Sequence, residues 1–365
     1  MTTSTIVILG TFLTSMVCGF GFIYAILKFC EARKIYDLPD TRKIHSKAVP
    51  RLGGVAFIPS MLIAFIIALL VIATEEHLIS FNLWSIFFFI SLTLIFLTGT
   101  IDDIIGLTPS WKFLVEIIVA CLLPLSGLYI NNLHGILGIH EIPYFAGFLL
   151  TILVVVFINN AINLIDGIDG LAACLSLLAL SGFLYFFVRH DIFAYSILIA
   201  GLLGVLVSFL FFNLFGDAER KNKIFMGDSG SLSLGYILGF LCVKCSMDNP
   251  TILPCNDVDF IMAYSLLSVP LLDAVRVFFV RISHHVSPFK ADNNHIHHKF
   301  MRLGFTQHQA LAAILVIAIG YIALNSLLVN HASITIIILV DILLYAILNV
   351  FLNRHKLPQN PGNVS

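Results

Sequence analysis

The chain has 365 residues, of which 59% are hydrophobic and only 11% charged, with a mean hydropathy of +1.00. Soluble domains carry about 25% charged residues, so this composition excludes a soluble globule and places the chain in a lipid bilayer. The formal net charge of −1 excludes a nucleic-acid partner, because so even a balance cannot supply a basic face.

A bilayer-spanning helix needs about 20 apolar residues, and eleven segments qualify, at approximately 5–28, 53–73, 82–101, 112–130, 144–163, 170–188, 192–215, 230–247, 258–281, 308–328 and 333–353. The predicted fold is therefore an all-α, polytopic membrane protein of one integral domain. The first segment is too long for a signal-peptide core and no basic residue precedes it, so it is expected to stay as a helix. Basic residues concentrate on the cytoplasmic side. An N-terminus outside and a C-terminus inside put 18 of the 20 Lys and Arg in cytoplasmic loops or helix ends, all but Arg189 and Lys244. The outer loops are then short and plain, whereas the cytoplasmic ones carry the chemistry. The seven cysteines fall mostly within apolar runs and read as small buried hydrophobes.

The first cytoplasmic loop includes Arg42, Lys43, His45, Lys47, Pro50, Arg51, Gly53 and Gly54. Basic side chains beside a Gly-Gly turn suit phosphate, since the turn exposes backbone N–H groups; the same residues would also serve as a positive-inside anchor. Asp102 and Asp103 follow the third segment directly. Adjacent acids repel each other, and a membrane boundary that keeps both points to a cation, a proton transfer or simple hydration of a helix end. Lys112, opening the fourth segment, suits a phosphate or the headgroup region.

The chain is organised around Asn159 to Gly170, where Asn163, Asp166 and Asp169 recur every third residue after a long apolar run. That spacing puts them on nearly one helix face, and carboxylates there are costly unless hydrated, paired or bound to a cation. After the seventh segment come Asn213, then Arg220, Lys221 and Lys223, then Phe225-Met-Gly-Asp228-Ser-Gly-Ser231. A carboxylate, hydroxyls and free helix N–H groups meet in this turn, and Asp228 suits a hard cation such as Mg²⁺, which takes one or two protein carboxylates and leaves room for phosphate oxygens. Phe225 can stack on a base or simply pack. The last cytoplasmic loop brings Arg281 and His295-Ile-His297-His298; the histidines suit zinc or, equally, a diphosphate and sugar.

Carboxylates, basic groups and histidines on one side of a membrane suit phosphoryl chemistry, which depends mainly on positioning and charge neutralisation, with a lipid as one substrate. A secondary transporter would instead hold its charges near mid-bilayer in two related halves. No G-x-x-x-x-G-K-[ST] motif is present for a P-loop enzyme.

Asn163-Leu-Ile-Asp-Gly-Ile-Asp-Gly-Leu171, Phe225-Met-Gly-Asp-Ser-Gly-Ser231, the Asp102-Asp103 pair and His295-Ile-His-His298 resemble the polyprenyl-phosphate N-acetylhexosamine-1-phosphate transferase family, in order and spacing, over about residues 37–310. Pro50-Arg-Leu-Gly-Gly54 and His-Ile-His-His look closer to the bacterial undecaprenyl-phosphate GlcNAc-1-phosphate transferases than to phospho-MurNAc-pentapeptide translocase. The latter typically carries a Thr-Pro-Thr-Met-Gly-Gly stretch and three consecutive histidines.

The resemblance implies a bacterial inner-membrane enzyme whose active site faces the cytoplasm. Undecaprenyl phosphate would attack the β-phosphorus of a UDP-N-acetylhexosamine, most simply UDP-GlcNAc, releasing UMP and starting a lipid-linked cell-surface glycan. By match to the motifs, Asp228 would hold Mg²⁺ (or Mn²⁺), with Asn163 as a second contact. Asp166 and Asp169 would hold the nucleotide, with Phe225 against uracil and Asn213 nearby. His295, His297, His298 and Arg281 would hold the diphosphate and sugar. Asp102 and Asp103 would order the lipid phosphate or take its proton, with Lys112 close by and Lys43 among the phosphate-binding residues. A phosphate monoester has a second pKa near 6, so direct attack is expected over a covalent aspartyl-phosphate. The chain is compatible with a homodimer.

Overall fold

A computed structural model describes residues 3–36, 48–73, 83–248, 255–285 and 294–354. Its thirteen α-helices are α1 (Thr3–Arg33), α2 (Phe57–Ala73), α3 (Leu83–Ile105), α4 (Pro109–Leu125), α5 (Tyr144–Ile165), α6 (Leu171–Arg189), α7 (Phe193–Leu214), α8 (Gly227–Ser246), α9 (Asp257–Leu266), α10 (Ser268–Ser283), α11 (Ile296–Arg302), α12 (Gln307–Leu328) and α13 (Ile334–Arg354). A short 3₁₀ turn, Gly53–Ala56, leads into α2. The chain is thus an all-α polytopic membrane protein, and nine of the described helices are long and apolar enough to cross a bilayer singly.

Two of the expected segments take a different form. The one placed at 258–281 is not a continuous helix: α9 and α10 meet at Leu267 with a bend of 65°. Pro270 explains the break, because it offers no N–H and its ring clashes with the carbonyl of the residue four back, here Leu266. The segment expected at 112–130 ends early, as α4, whose 17 residues reach about 25 Å, somewhat short of the hydrocarbon thickness. The chain that follows forms a small antiparallel hairpin, β1 (Asn132–Ile136) and β2 (Ile139–Glu141).

At the centre stands α8. Its side chains are buried from Ser229 to Ser246 apart from Cys242, with Tyr236, Phe240 and Lys244 among the largest fully enclosed groups. Helices α1, α12 and α13 instead leave most of their residues unburied, and they display leucine and isoleucine where α8 carries serines and glycines. Small residues let backbones approach closely inside a membrane. Accordingly α8 packs on α3 and α5, and a Cβ at Gly235 would lie 2.5 Å from Asn159 Oδ1. Helices α1, α2 and α7 form a second packed group, pinned where Ser208 Oγ donates to the Met16 carbonyl at 2.7 Å.

Alternation of direction decides where the polar residues go. Helices α3, α5, α7 and α10 end where α4, α6, α8 and α12 begin, and Asp102, Asn163, Asn213, Arg281, Lys112 and Asp228 all lie at those ends. One end of the bundle therefore collects the chemistry.

Candidate active site

The site is assembled on the N-terminus of α8. The first N–H groups of a helix have no partner within it, and Asp103, at the end of α3, supplies one. Its Oδ1 accepts from the Asp228 amide at 2.8 Å and its Oδ2 from the Ser229 amide at 2.9 Å, with the side chain 3% exposed. A negative charge is also favoured there by the helix dipole. Gly227 makes the contact feasible: its φ is +72°, and a Cβ would stand 2.0 Å from the Arg51 carbonyl and 2.5 Å from Asp103 Oδ2.

Arg51 completes the clamp by donating to the carbonyls of Asp103 (2.9 Å) and Asp102 (3.3 Å) at the end of α3. Three backbone hydrogen bonds join the same loop to the segment before α8. Phe225 N–H donates to the Pro50 carbonyl, Gly53 N–H to the Phe225 carbonyl and Gly54 N–H to the Met226 carbonyl, at 2.8–2.9 Å. The Pro-Arg-Leu-Gly-Gly stretch is therefore a brace for the Met-Gly-Asp-Ser turn.

Lys112 lies across the cluster. Its Nζ is 2.6 Å from Asp228 Oδ2 and 3.2 Å from Asp102 Oδ2, while Asp102 Oδ1 accepts from the Leu107 amide at 2.6 Å. From α5, Asn163 Nδ2 reaches Ser231 Oγ at 2.8 Å and Asp228 Oδ1 at 3.3 Å. One ammonium thus offsets two carboxylates, and the opposite side of Asp228 meets an amide.

Asp166 caps the end of α5, and among the described residues no ion pair offsets its charge. Burial, reinforced by the charges of Asp228, Asp169 and Asp103, pushes its carboxyl up to about 7. Asp169 is treated differently, being paired with Lys223 Nζ at 2.6 Å. Asn213 Nδ2 donates to the Ile224 carbonyl at 2.8 Å, which holds the approach to Phe225, and its Oδ1 is buried without a partner. Phe225 is half-buried beside this turn.

Helix α11 brings the histidines against the same loop. A Cβ at Gly167 would lie 2.2 Å from His297 Nε2, so the missing side chain between the two aspartates is what admits the ring. His297 is 1% exposed with both ring nitrogens unpartnered. Burial, then the neighbouring charges of His298 and His295, pull it down to about 3, so it is neutral at physiological pH. The His298 ring lies 4.2 Å from it and that of His295 6.0 Å away, nearly parallel. Arg281 is buried at the end of α10. Lys43 lies outside the described residues.

Several polar residues joined to this site were not singled out by the motifs. Glu116, one turn into α4 from Lys112, is buried and accepts from Asn160 Nδ2; the spacing of four from Lys112 was the available signal. Asp273, a lone acid within an apolar segment, binds His295 Nδ1 at 2.8 Å. Lys299 reaches Asn349 Oδ1 on α13 at 2.7 Å.

The donor set fits a hard divalent cation. Carboxylate and carboxamide groups converge from α3, α5 and α8, and the raised Asp166 marks an excess of negative charge. Among the described residues no three of His, Cys, Asp or Glu close around one point. Mg²⁺, which keeps waters and phosphate oxygens as ligands, needs no such cage, whereas zinc is held by three or four protein ligands.

The chain is similar to known proteins. The model of glycosyl transferase family 4 matches residues 83–246. A probable undecaprenyl-phosphate N-acetylglucosaminyl 1-phosphate transferase of Bacillus subtilis (strain 168) is 30% identical over 305 residues, covering 82% of this chain and 78% of the relative. Undecaprenyl-phosphate alpha-N-acetylglucosaminyl 1-phosphate transferases of Yersinia pestis and Escherichia coli (strain K12) are each 27% identical, covering 83% and 89% of this chain and 80% and 86% of theirs.

Proposed function

The chain belongs to glycosyl transferase family 4, and on that footing we propose that it transfers GlcNAc-1-phosphate from UDP-GlcNAc to undecaprenyl phosphate, releasing UMP. The observation that carries this reading is the meeting of Asp228, Lys112, Asn163 and Asp102 at one helix N-terminus, in a chain whose relatives are named for that transfer. The distribution of Lys and Arg supports a cytoplasmic face for the site, in a bacterial inner membrane.

In this reading Asp228 and Asn163 hold Mg²⁺, which when bound neutralises the diphosphate and the charge that builds up as UMP departs. Lys112 adds a fixed positive charge beside the acceptor phosphate. His295, His297 and His298 with Arg281 face the sugar diphosphate, with neutral His297 offering a hydrogen bond rather than a charge. Asp166 and Asp169 orient the nucleotide, with Phe225 against uracil.

The carboxylates of Asp102 and Asp103 are poor candidates for a general base. All four of their oxygens already accept a hydrogen bond, from Leu107 and Lys112 in one case and from the two α8 amides in the other. A phosphate monoester is largely dianionic near neutrality, its second pKa being about 6, so no base is required. Direct attack on the β-phosphorus follows, with these two aspartates placing Lys112 and α8.

The test is UMP release by purified protein in detergent with undecaprenyl phosphate, Mg²⁺ and a panel of UDP-sugars, beside Asp228→Asn. Lipid-dependent release from UDP-GlcNAc, lost on chelation and in the variant, is the expected result. Release from a different UDP-sugar alone would reassign the donor, and release that ignores the lipid would overturn the reaction.

A further inference from the structure

A buried polar hub underlies the histidine segment, built by α10, α11 and α13, all of them beyond the residues 83–246 matched to the family. Asp273 on α10 is 1% exposed, and an ionised carboxylate so enclosed is tolerated only when its oxygens are occupied. Its Oδ2 accepts from His295 Nδ1 at 2.8 Å and from the Ile296 amide at 3.4 Å; its Oδ1 accepts from Arg276 Nη2 at 2.8 Å and the Tyr345 hydroxyl at 2.9 Å. Arg276 also donates to the Asn294 carbonyl at 2.5 Å. The three residues leading into α11 are thus tied to one side chain and its arginine.

Helix α13 grips the same segment twice from one face. Tyr345 reaches Asp273, and Asn349, four residues on, accepts from the buried Lys299 of α11 at 2.7 Å. Asn349 Nδ2 in turn donates to the Tyr345 carbonyl at 2.8 Å, locking the pair together.

We propose that Asp273 is a positioning residue for His295, and that Tyr345 extends that role to the C-terminal helix. Beside the Arg276 guanidinium the carboxylate acts only as an acceptor, so His295 must carry its proton on Nδ1 to make the contact. The ring is thereby fixed in one orientation and Nε2 becomes the nitrogen turned outward, the arrangement by which carboxylates orient ligating histidines elsewhere. This rests on the reading that His295 meets the sugar diphosphate.

Two measurements test it. In the UMP-release assay, Asp273→Asn should lower kcat/KM about 10- to 100-fold, and should cost nothing further in a His295→Gln background, because it acts through that ring. Equal losses in both backgrounds, or no loss in the first, would overturn the proposal. Since Asp273→Asn can also fail to fold, the second measurement uses the unmodified sequence. Solid-state NMR of ¹⁵N-histidine protein in liposomes, with the His295 line assigned by its absence in His295→Gln, should show a protonated Nδ1. A neutral ring protonated only on Nε2 refutes the contact. A wild-type protein inactive on every UDP-sugar would remove the proposed reaction, while the NMR line would still decide whether Asp273 holds His295.

Discussion

Asp103→Asn separates the role of a helix cap from that of a base. Both carboxylate oxygens accept main-chain N–H groups of α8, at 2.8 and 2.9 Å, and the side chain is 3% exposed. An amide keeps one acceptor and turns its NH₂ toward the other N–H, so one charge-assisted bond is lost and two donors face each other. Hydrogen bonds to charged groups contribute about 1.5–3 kcal/mol each, which gives an expected loss of about 2–3 kcal/mol, or roughly 30- to 140-fold in the folded–unfolded ratio. Asp102→Asn is the control. Its carbonyl can still accept from Leu107, and Lys112 keeps its contact with Asp228, so a smaller loss is expected. Unfolding by SDS in mixed micelles, followed through the fluorescence of the two tryptophans, Trp84 and Trp111, measures both. The reasoning is refuted if the two variants unfold within about 0.5 kcal/mol of each other.

Gly227→Ala should destabilise by more than the roughly 1–2 kcal/mol of a left-handed backbone, since its Cβ also displaces the Arg51 carbonyl; a variant as stable as wild type in the same micelles would contradict the close approach. Asp166, raised to about 7 from an unfolded value near 3.9, binds more protons folded than unfolded between those values, so stability falls as pH rises through that window. Asp166→Asn should therefore melt above wild type at pH 7.5 and together with it at pH 4, and the opposite trend would reverse the assignment. His297, lowered to about 3 from about 6.5 unfolded, binds fewer protons folded than unfolded, so stability is lost as pH falls from about 6.5 toward 3. His297→Gln should lose less than wild type over that range in detergent melting curves, and parallel curves would show the ring to be protonated in the fold.

The motif residues meet at one end of the bundle because their spacing is local. Asn163, Asp166 and Asp169 share one helix end and its following turn, and Gly-Asp-Ser-Gly-Ser opens a helix; such spacing is written in consecutive residues. What each group binds was less legible. Asp102 and Asp103 are neighbours in sequence and read as equivalents, yet Asp103 faces the α8 amides 125 residues away while Asp102 faces Lys112. The Pro-Arg-Leu-Gly-Gly loop, read as phosphate-binding or as an anchor, spends its Gly53 and Gly54 amides on Phe225 and Met226. Asp273 could be paired from the sequence only with Arg276, three residues on; its other partners are remote, His295 being 22 residues on and Tyr345 72.

By itself the sequence determined the membrane class, the helical fold and the end of the bundle at which the polar residues gather. Each follows from hydropathy, from the need of a backbone in lipid to satisfy its own hydrogen bonds, and from the alternation of antiparallel spans. Tertiary structure alone decided which carboxylate caps a helix, which pairs with a cation and which is crowded by other carboxylates so that its pKa is pushed up. Those outcomes depend on burial and on charges a few ångströms away, and distances of that kind between remote residues are set by how α3, α5, α8, α10 and α13 pack, not by any local pattern.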